Sequence, residues 1–370
     1  MHLALLELKA ARGRFLLMGA VVVLVAALVG IVSGFTTGLG DDTVSALRRL
    51  SATDLAFSPD VKTDQFARSL VGADTLAAWQ RQPGVRATGL GVALTRGTTE
   101  RGVEVDLAAF GVDPAVFLSP GVERGARLAE DGQVVVSGKL ADQGVRIGDT
   151  LTVDRIGVRL TVVGVTGSSA YGHVPVAYVT PATWQRIRFA VPGAQQATAE
   201  LPYQYSAVAI QAVPGTDLAA VDRRLGTRTV PLADAFAAAP GYSGEKVTMT
   251  SIQTFLYLIA PLVVGAFFGI WTVQRQPELA LLRALGASRR RLLGHTLAQA
   301  SAVVVGGTLV GAALAGAVGL LLGAQVPFSL PAPTLAATMA TVALAGLAGA
   351  ALTLRRVATA DPTTMLGAGR

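Results

Sequence analysis

Few side chains in this sequence have both the type and the spacing that chemistry requires. There are three histidines, His2, His173 and His295, and no cysteine. Thiol chemistry and cysteine-ligated metal sites are therefore excluded. No nucleophile elbow of the form G-x-S-x-G occurs either. One stretch, Gly132 to Leu140, imitates a phosphate-binding loop. Its two glycines, Gly132 and Gly138, stand one residue too far apart, and Leu140 follows Lys139 where a hydroxyl should bind magnesium. The remaining candidate is Glu245, a carboxylate directly before a long uncharged apolar stretch. Ionisable groups at membrane depth are functional candidates by default. The plainer alternative is an interfacial Glu245–Lys246 pair at a helix start, with Tyr242 in an aromatic belt. Both readings fit the residues.

A second concentration of signal lies between Gln274 and Leu293. Pro277 suits a first helical position, and Glu278 complements the positive end of a helix. Leu281, Leu282 and Leu285 share one face. Gly286 can supply a left-handed C-terminal residue, and Ser288 can cap the helix that follows. The product is a short amphipathic helix joined by a corner to a longer one. Taken alone, it could be a positively charged reverse turn or a partner-binding helix.

The elements that must position these residues follow from where charge is missing. Apolar residues make up 51% of the chain and charged ones 15%, against about 25% charge in an average soluble domain. The runs 15–40, 247–274 and 296–354 contain no Asp, Glu, Lys or Arg, and about 20 apolar residues suffice to cross the hydrocarbon core. Three prolines, Pro327, Pro331 and Pro333, divide the longest run into two helices. The first run is too long for a signal-peptide core and lacks a clear cleavage site, which makes it a retained anchor. The expected fold class is a membrane α-helical protein with four transmembrane helices. A large mixed α/β extracytoplasmic domain is inserted between helices 1 and 2.

Orientation follows from the basic residues near the spans. The N-tail, the loop between the second and third spans and the C-tail together hold 11 basic and 3 acidic residues. The insert from Asp41 to Lys246 holds 20 basic and 21 acidic, so the short segments account for the net charge of +7. Those three segments are expected in the cytoplasm and the insert outside. His173 is then separated by the membrane from His2 and His295, and the phosphate-loop imitation faces away from cellular ATP. The basic surplus serves topology and lipid headgroups, and no nucleic-acid partner is expected.

The expected organisation is a cytoplasmic segment over 1–14, a first span over 15–40 and the outer domain over 41–246. A second span covers 247–274 and a cytoplasmic coupling helix 275–294. A third span over 295–324, an outer loop over 325–333, a fourth span over 334–354 and a cytoplasmic tail over 355–370 complete the chain. Within the outer domain, Val85–Phe110 reads as a hairpin around Arg96–Gly102. Residues 133–136, 174–179 and 206–212 read as strands. Alternation on either side of Gly148-Asp149, through Val158–Val165, marks two strands joined by a tight turn. Residues 73–81, 181–188 and 217–225 have helical spacing, and Val191–Pro202 reads as a surface loop. Gly307-x-x-x-Gly311 and Gly319-x-x-x-Gly323 permit close helix contact, either between the third and fourth spans or across a dimer.

The stretch from Gln274 to Arg289 resembles the cytoplasmic signature of the MacB/FtsX-type ABC transporter permeases, with Gln274, Arg275, Glu278 to Ser288 and Arg289 on the pattern. Pro277 is a modest departure that tilts the start of the helix. Val145–Leu151 with Leu160–Val165 looks like the outer-domain strand pair of that family. Arg355–Leu366 looks like its C-terminal tail, so the likeness runs the length of the chain. It implies a homodimer bound to two copies of a cytoplasmic ATPase, which binds ATP and magnesium and drives motion through the coupling helix. On that pattern the chain is a non-catalytic permease with no intrinsic cofactor. Glu278, Leu282, Arg283, Leu285 and Arg289 form the expected coupling surface.

The size of the outer domain, the opening Ala11–Phe15 and the Gly34–Asp42 exit of the first span resemble the haem-exporting HrtB branch of Gram-positive bacteria. That resemblance implies haem as the substrate, taken from the outer leaflet of the plasma membrane. Its site would lie where the first and second spans emerge, near Phe35, Gly38, Tyr242, Glu245 and Met249. Glu245 would be the iron ligand, one from each copy, and Phe35 and Tyr242 would stack on the porphyrin. Export of a lipid, lipoprotein, peptide or antibiotic is the alternative within the class. An FtsX-like scaffold that activates a cell-wall hydrolase is the alternative outside it.

Overall fold

The computed structural model describes residues 12–59, 65–190, 202–274, 288–322 and 326–359. Two compact units divide the chain: Leu39–Lys246 forms one, and Met1–Gly38 with Val247–Arg370 forms the other.

Four long helices, Arg12–Arg48, Tyr242–Gln274, Arg289–Leu322 and Ala332–Thr359, build the membrane unit, with Leu39–Arg48 of the first and Tyr242–Lys246 of the second belonging to the α/β unit. Each contains a stretch long and apolar enough to cross a bilayer. The first and second outrun the expected spans toward the α/β domain, as far as Arg48 and from Tyr242. A run of uncharged residues measures hydrocarbon thickness, and a helix does not stop where the hydrocarbon does. Beyond the last apolar turn, the first helix continues as an amphipathic one. Val44, Ala46 and Leu47 are buried in the α/β domain while Arg48 stays exposed.

Close backbone contact holds the membrane helices together. A Cβ on Gly307 would lie 2.8 Å from Val22, and one on Gly311 would lie 2.6 Å from the Ala26 side chain. Gly307 and Gly311 therefore pack within the chain against the first helix and not the fourth, whereas Gly319 meets Phe328 and Gly323 lies outside the described residues. Spacing reveals a smooth helix face, and it does not name the neighbour. The second and fourth helices meet at Gly265 and Gly349, where a Cβ on Gly349 would come within 2.5 Å of the Pro261 carbonyl. Phe328, in the segment between the third and fourth helices, covers Gly34, and Ser329 donates its N–H to the Gly34 carbonyl at 3.0 Å.

The α/β unit contains β1 (Asp54–Phe57), β2 (Val71–Gly72), β3 (Val85–Thr99), β4 (Glu104–Val112) and β5 (Val122–Gly125). Next come β6 (Gln133–Ser137), β7 (Thr150–Val153), β8 (Arg159–Thr166), β9 (Ala170–Tyr171) and β10 (Val174–Val179). The last are β11 (Gln204–Tyr205), β12 (Ala207–Ala212) and β13 (Arg228–Pro231). Eleven of these form one sheet in the order β13-β1-β12-β3-β4-β10-β6-β8-β5, with β7 pairing β3 and β8, and β9 pairing β10. β10 runs parallel to β4, and β6 parallel to β8; the other pairings are antiparallel.

Successive side chains of β4 serve opposite faces, as a strand requires. Ala108, Phe110 and Val112 join one buried cluster with Val44, Leu47 and Tyr171. Leu107 and Ala109 join another around Trp184. Trp184 lies on the helix Pro181–Phe189, which Thr180 caps by accepting the Thr183 N–H at 3.2 Å. Its ring rests on Gly91 and Gly111, partners in the β3–β4 register, and a Cβ on Gly91 would fall 2.3 Å from the ring. Asp217 and Gly226 cap the helix Leu218–Leu225, with Gly226 in the left-handed region at φ 62°.

Two local expectations need correction. The β3–β4 hairpin is present, but Arg96–Thr99 belong to the strand and the turn is confined to residues 100–103. β7 pairs with Gly97–Thr99 and holds them extended. Gly148-Asp149 does not link two strands. β7 begins at Thr150, and β7 and β8 are joined through residues 154–158, where Arg155 and Gly157 take φ of 67° and 70°. The segment before Thr150 is a turn held by Asp149. Its carboxylate accepts the Arg146 N–H at 2.8 Å and a two-pronged contact from Arg101 at 3.0 and 2.7 Å. The Arg101 guanidinium is the main cause that lowers the Asp149 pKa below its ordinary value. Residues 191–201, most of the expected surface loop, lie outside the described residues.

Candidate functional site

Glu245 stands in the first turn of the helix Tyr242–Gln274, where its N–H reaches the Gly241 carbonyl at 3.0 Å. The carboxylate is held from two sides within the α/β unit. Thr43 Oγ1 donates to Oε2 at 3.1 Å, and His173 Nε2 lies 2.7 Å from Oε1. His173 Nδ1 faces Asp42 at 3.8 Å, beyond hydrogen-bond range but within electrostatic reach. Lys139 completes the group by pairing with Asp42.

The five members come from four elements. Asp42 and Thr43 lie on the first long helix, and Lys139 on the short helix Gly138–Asp142 capped by Ser137. His173 occupies the turn between β9 and β10 with φ 66°, next to Gly172 at φ 58°. That left-handed turn lets the Gly172 and His173 N–H groups reach the Thr43 and Asp42 carbonyls at 2.9 and 3.2 Å. The backbone contact fixes the imidazole before its side chain makes any bond.

The arrangement puts an imidazole between two carboxylates, with a lysine on the farther one. An imidazole with carboxylates on both sides can hold a proton on either nitrogen, and as a cation it donates from both. His173 and Glu245 side chains are 40% and 33% exposed, so a molecule arriving from solvent can reach them. Among the described residues no group of three or more His, Asp or Glu side chains is placed to hold a metal ion. Glu245 is thus an available oxygen donor beside an imidazole, without a chelating cage.

The other expected site residues divide between the units. Tyr242 belongs with Glu245: its ring stands edge-on to Phe236 at 6.3 Å, and Lys246 Nζ lies 5.8 Å from the ring centre. Phe35 and Met249 belong to the membrane unit. Phe35 meets Phe328 edge-on at 5.4 Å, and Met249 is half-buried. Gly38 packs against the Pro327 backbone. Of the coupling residues, Glu278, Leu282, Arg283 and Leu285 lie outside the described residues, and Arg289 is the first residue of the third long helix. His173, Thr43, Asp42 and Lys139 were not singled out by sequence as partners of Glu245. The one local signal for them is Gly172-His173 between two apolar strand segments.

Two family models match the chain. The MacB-like periplasmic core domain covers residues 15–228, and the FtsX-like permease C-terminal domain covers residues 250–362. Permease proteins named for a hemin transport system, HrtB, match over the whole length. Two from Staphylococcus epidermidis are 20% and 22% identical with 100% of both chains covered, and one from Staphylococcus haemolyticus is 22% identical over 99% of each. An uncharacterized ABC transporter permease of Mycobacterium bovis is 29% identical over 78% of this chain and 76% of its own. Among solved structures, the extracellular domain of the noncanonic ABC-type transporter YknZ from Gram-positive bacteria aligns with 49% of this chain and 99% of its own. That match has a TM-score of 0.35 and 13% identity. The chain belongs to the MacB/FtsX family of ABC transporter permeases, a class of membrane component that works with a partner ATPase.

Proposed function

We propose that this chain is the permease subunit of an efflux pump that expels an amphipathic substrate, haem foremost, from the outer leaflet of a Gram-positive plasma membrane. ATP hydrolysis takes place in a partner ATPase, which engages the segment 275–294 through Glu278, Leu282, Arg283, Leu285 and Arg289. The termini are cytoplasmic and the α/β domain is outside, as the basic surplus of the three short segments requires. The permease acts as a homodimer, so that two copies of Glu245 serve one substrate.

Glu245 carries this reading. A carboxylate oxygen is a hard donor suited to ferric iron, and this one stands where an apolar helix begins, reachable from solvent. The full-length likeness to permeases named for hemin transport supports the same substrate. His173 adds a role: by holding Glu245 in the empty state, it must yield the carboxylate, or share the site, when haem binds.

Absorbance titration of the purified permease with haem tests the proposal. A Soret shift that saturates near one haem per dimer in the wild type and vanishes in Glu245→Ala is the expected result. His173→Ala should keep saturation and change the affinity or the band position. Binding that survives in Glu245→Ala would move the ligand elsewhere. Absence of saturable binding in the wild type would remove haem and leave a permease for another amphiphile.

A further inference from the structure

The membrane unit contains a cleft unlike the charged group at Glu245. Its volume is about 530 Å³, and its lining comes from three helices: Ser33, Thr36 and Thr37; Gln253 and Tyr257; and one face of the fourth, which includes Ala337, Thr338 and Thr341. The volume is in the range of ligand sites, about 300 to 1,000 Å³. No Asp, Glu, Lys, Arg or His lines it. The lining comes from the C-terminal end of the first membrane span and the N-terminal ends of the second and fourth, three ends that alternation of spans puts on the same side of the bilayer.

The hydrogen bonding shows what such a cleft can recognise. Hydroxyls in membrane helices often join neighbouring helices. Here one bond does so, between Ser33 and Thr338 at 3.1 Å. Thr36, Thr37 and Thr341 instead donate to carbonyls of their own helices, at 2.8, 2.9 and 2.9 Å. With their protons spent, these oxygens are left with lone pairs and act as acceptors. Pro261 has no N–H to offer, so the Tyr257 carbonyl loses its helical donor. Gln253 and Tyr257 side chains have no hydrogen-bond partner among the described residues, and each can donate or accept. The cleft is therefore rich in acceptors and neutral. A charged head would enter it unpaired and desolvated. A hydroxyl- or amide-bearing head on an apolar tail would satisfy both the lining and the surrounding lipid.

We propose that this cleft is a binding site for the uncharged, hydrogen-bond-donating head of an amphiphile, separate from the Glu245 group and independent of the haem reading. The chain has no cysteine, so Ala337→Cys places a single thiol in the cleft. Leu344→Cys places one on the same helix at a residue 68% exposed and outside the lining. Each variant, in phosphatidylcholine nanodiscs, is reacted with N-ethylmaleimide while 1-oleoylglycerol is titrated in.

The expected result is saturable protection at position 337, with the rate falling about tenfold at ten times the Kd, and none at 344. Thr37→Val with Thr341→Val, which keep side-chain volume, should weaken that protection roughly tenfold. Oleate and dioleoylphosphatidylglycerol should protect weakly. Protection that never saturates, that is equal at both positions, or that is as strong with the anionic lipids would overturn the proposal. So would a 337 thiol that is unreactive from the start and oxidises to a disulfide with a second copy, since the cleft would then be a contact between protomers.

Discussion

The two units handle polarity in opposite ways. Among the described residues every ion pair lies in the α/β domain, from Arg96–Asp106 and Arg101–Asp149 to the group at Glu245. The membrane helices rely on glycine faces and on hydroxyls that bond to their own carbonyls. The difference follows from the solvent. Water supports a charge that a partner only half covers, whereas lipid makes an unpaired charge costly and leaves close packing as the main attraction. The α/β domain can accordingly place an open carboxylate at its surface, whereas the cleft of the membrane unit has no charged residue in its lining.

The sharpest break of this contrast removes what packs each unit. Trp184→Ala takes away the ring that rests on Gly91 and Gly111. It should cost about 3–5 kcal/mol, typical of losing a buried aromatic. Limited proteolysis and thermal unfolding should register it in the α/β domain. Gly311→Leu drives a side chain into Ala26 and the Val23 carbonyl. A cost of about 1–3 kcal/mol from overpacking is expected. Gly316→Leu, where a Cβ meets nothing within 4 Å, is its control. Equal unfolding temperatures for the two glycine variants would show that the first and third helices do not depend on this seam.

Smaller effects sharpen the charge side. Arg101→Ala should loosen the turn before β7 at neutral pH. Because Arg101 lowers the pKa of Asp149, the stability it contributes is present above the ordinary carboxylate pKa of about 3.9. It disappears as pH falls through the lower folded value. The difference between wild type and variant in thermal unfolding should therefore shrink on acidification; a difference independent of pH would mean packing, not charge. The smallest expected effect is Thr37→Val alone, within about 0.5 kcal/mol of wild-type stability, because its hydroxyl serves only its own helix.

Much of the fold is legible in the sequence because missing charge marks the spans and apolar alternation marks the strands. The amphipathic continuation of the first helix from Leu39 to Arg48 escapes that reading, since Asp41 and Asp42 look like a membrane exit while Val44 and Leu47 bury themselves in the sheet domain. The site is less legible. Glu245 stands out as a carboxylate before an apolar run, but His173 is 72 positions away and reaches it through sheet topology that no local pattern encodes. The hydroxyl cleft is invisible for a similar reason: Thr37, Gln253 and Thr338 are ordinary residues until three helices bring them to one place.

The backbone contact between the β9–β10 turn and the first helix has a mechanical meaning. Gly172 and His173 donate to carbonyls inside that helix, not at its end. The helix from Leu39 onward is thereby geared to β10, an interior strand flanked by β4 and β6. A rotation of this stretch about its axis would strain the Gly172 and His173 hydrogen bonds and load β10 in shear. Leu39–Arg48 and the β9–β10 turn are thus pinned to each other within the α/β unit, so that neither can rotate without the other.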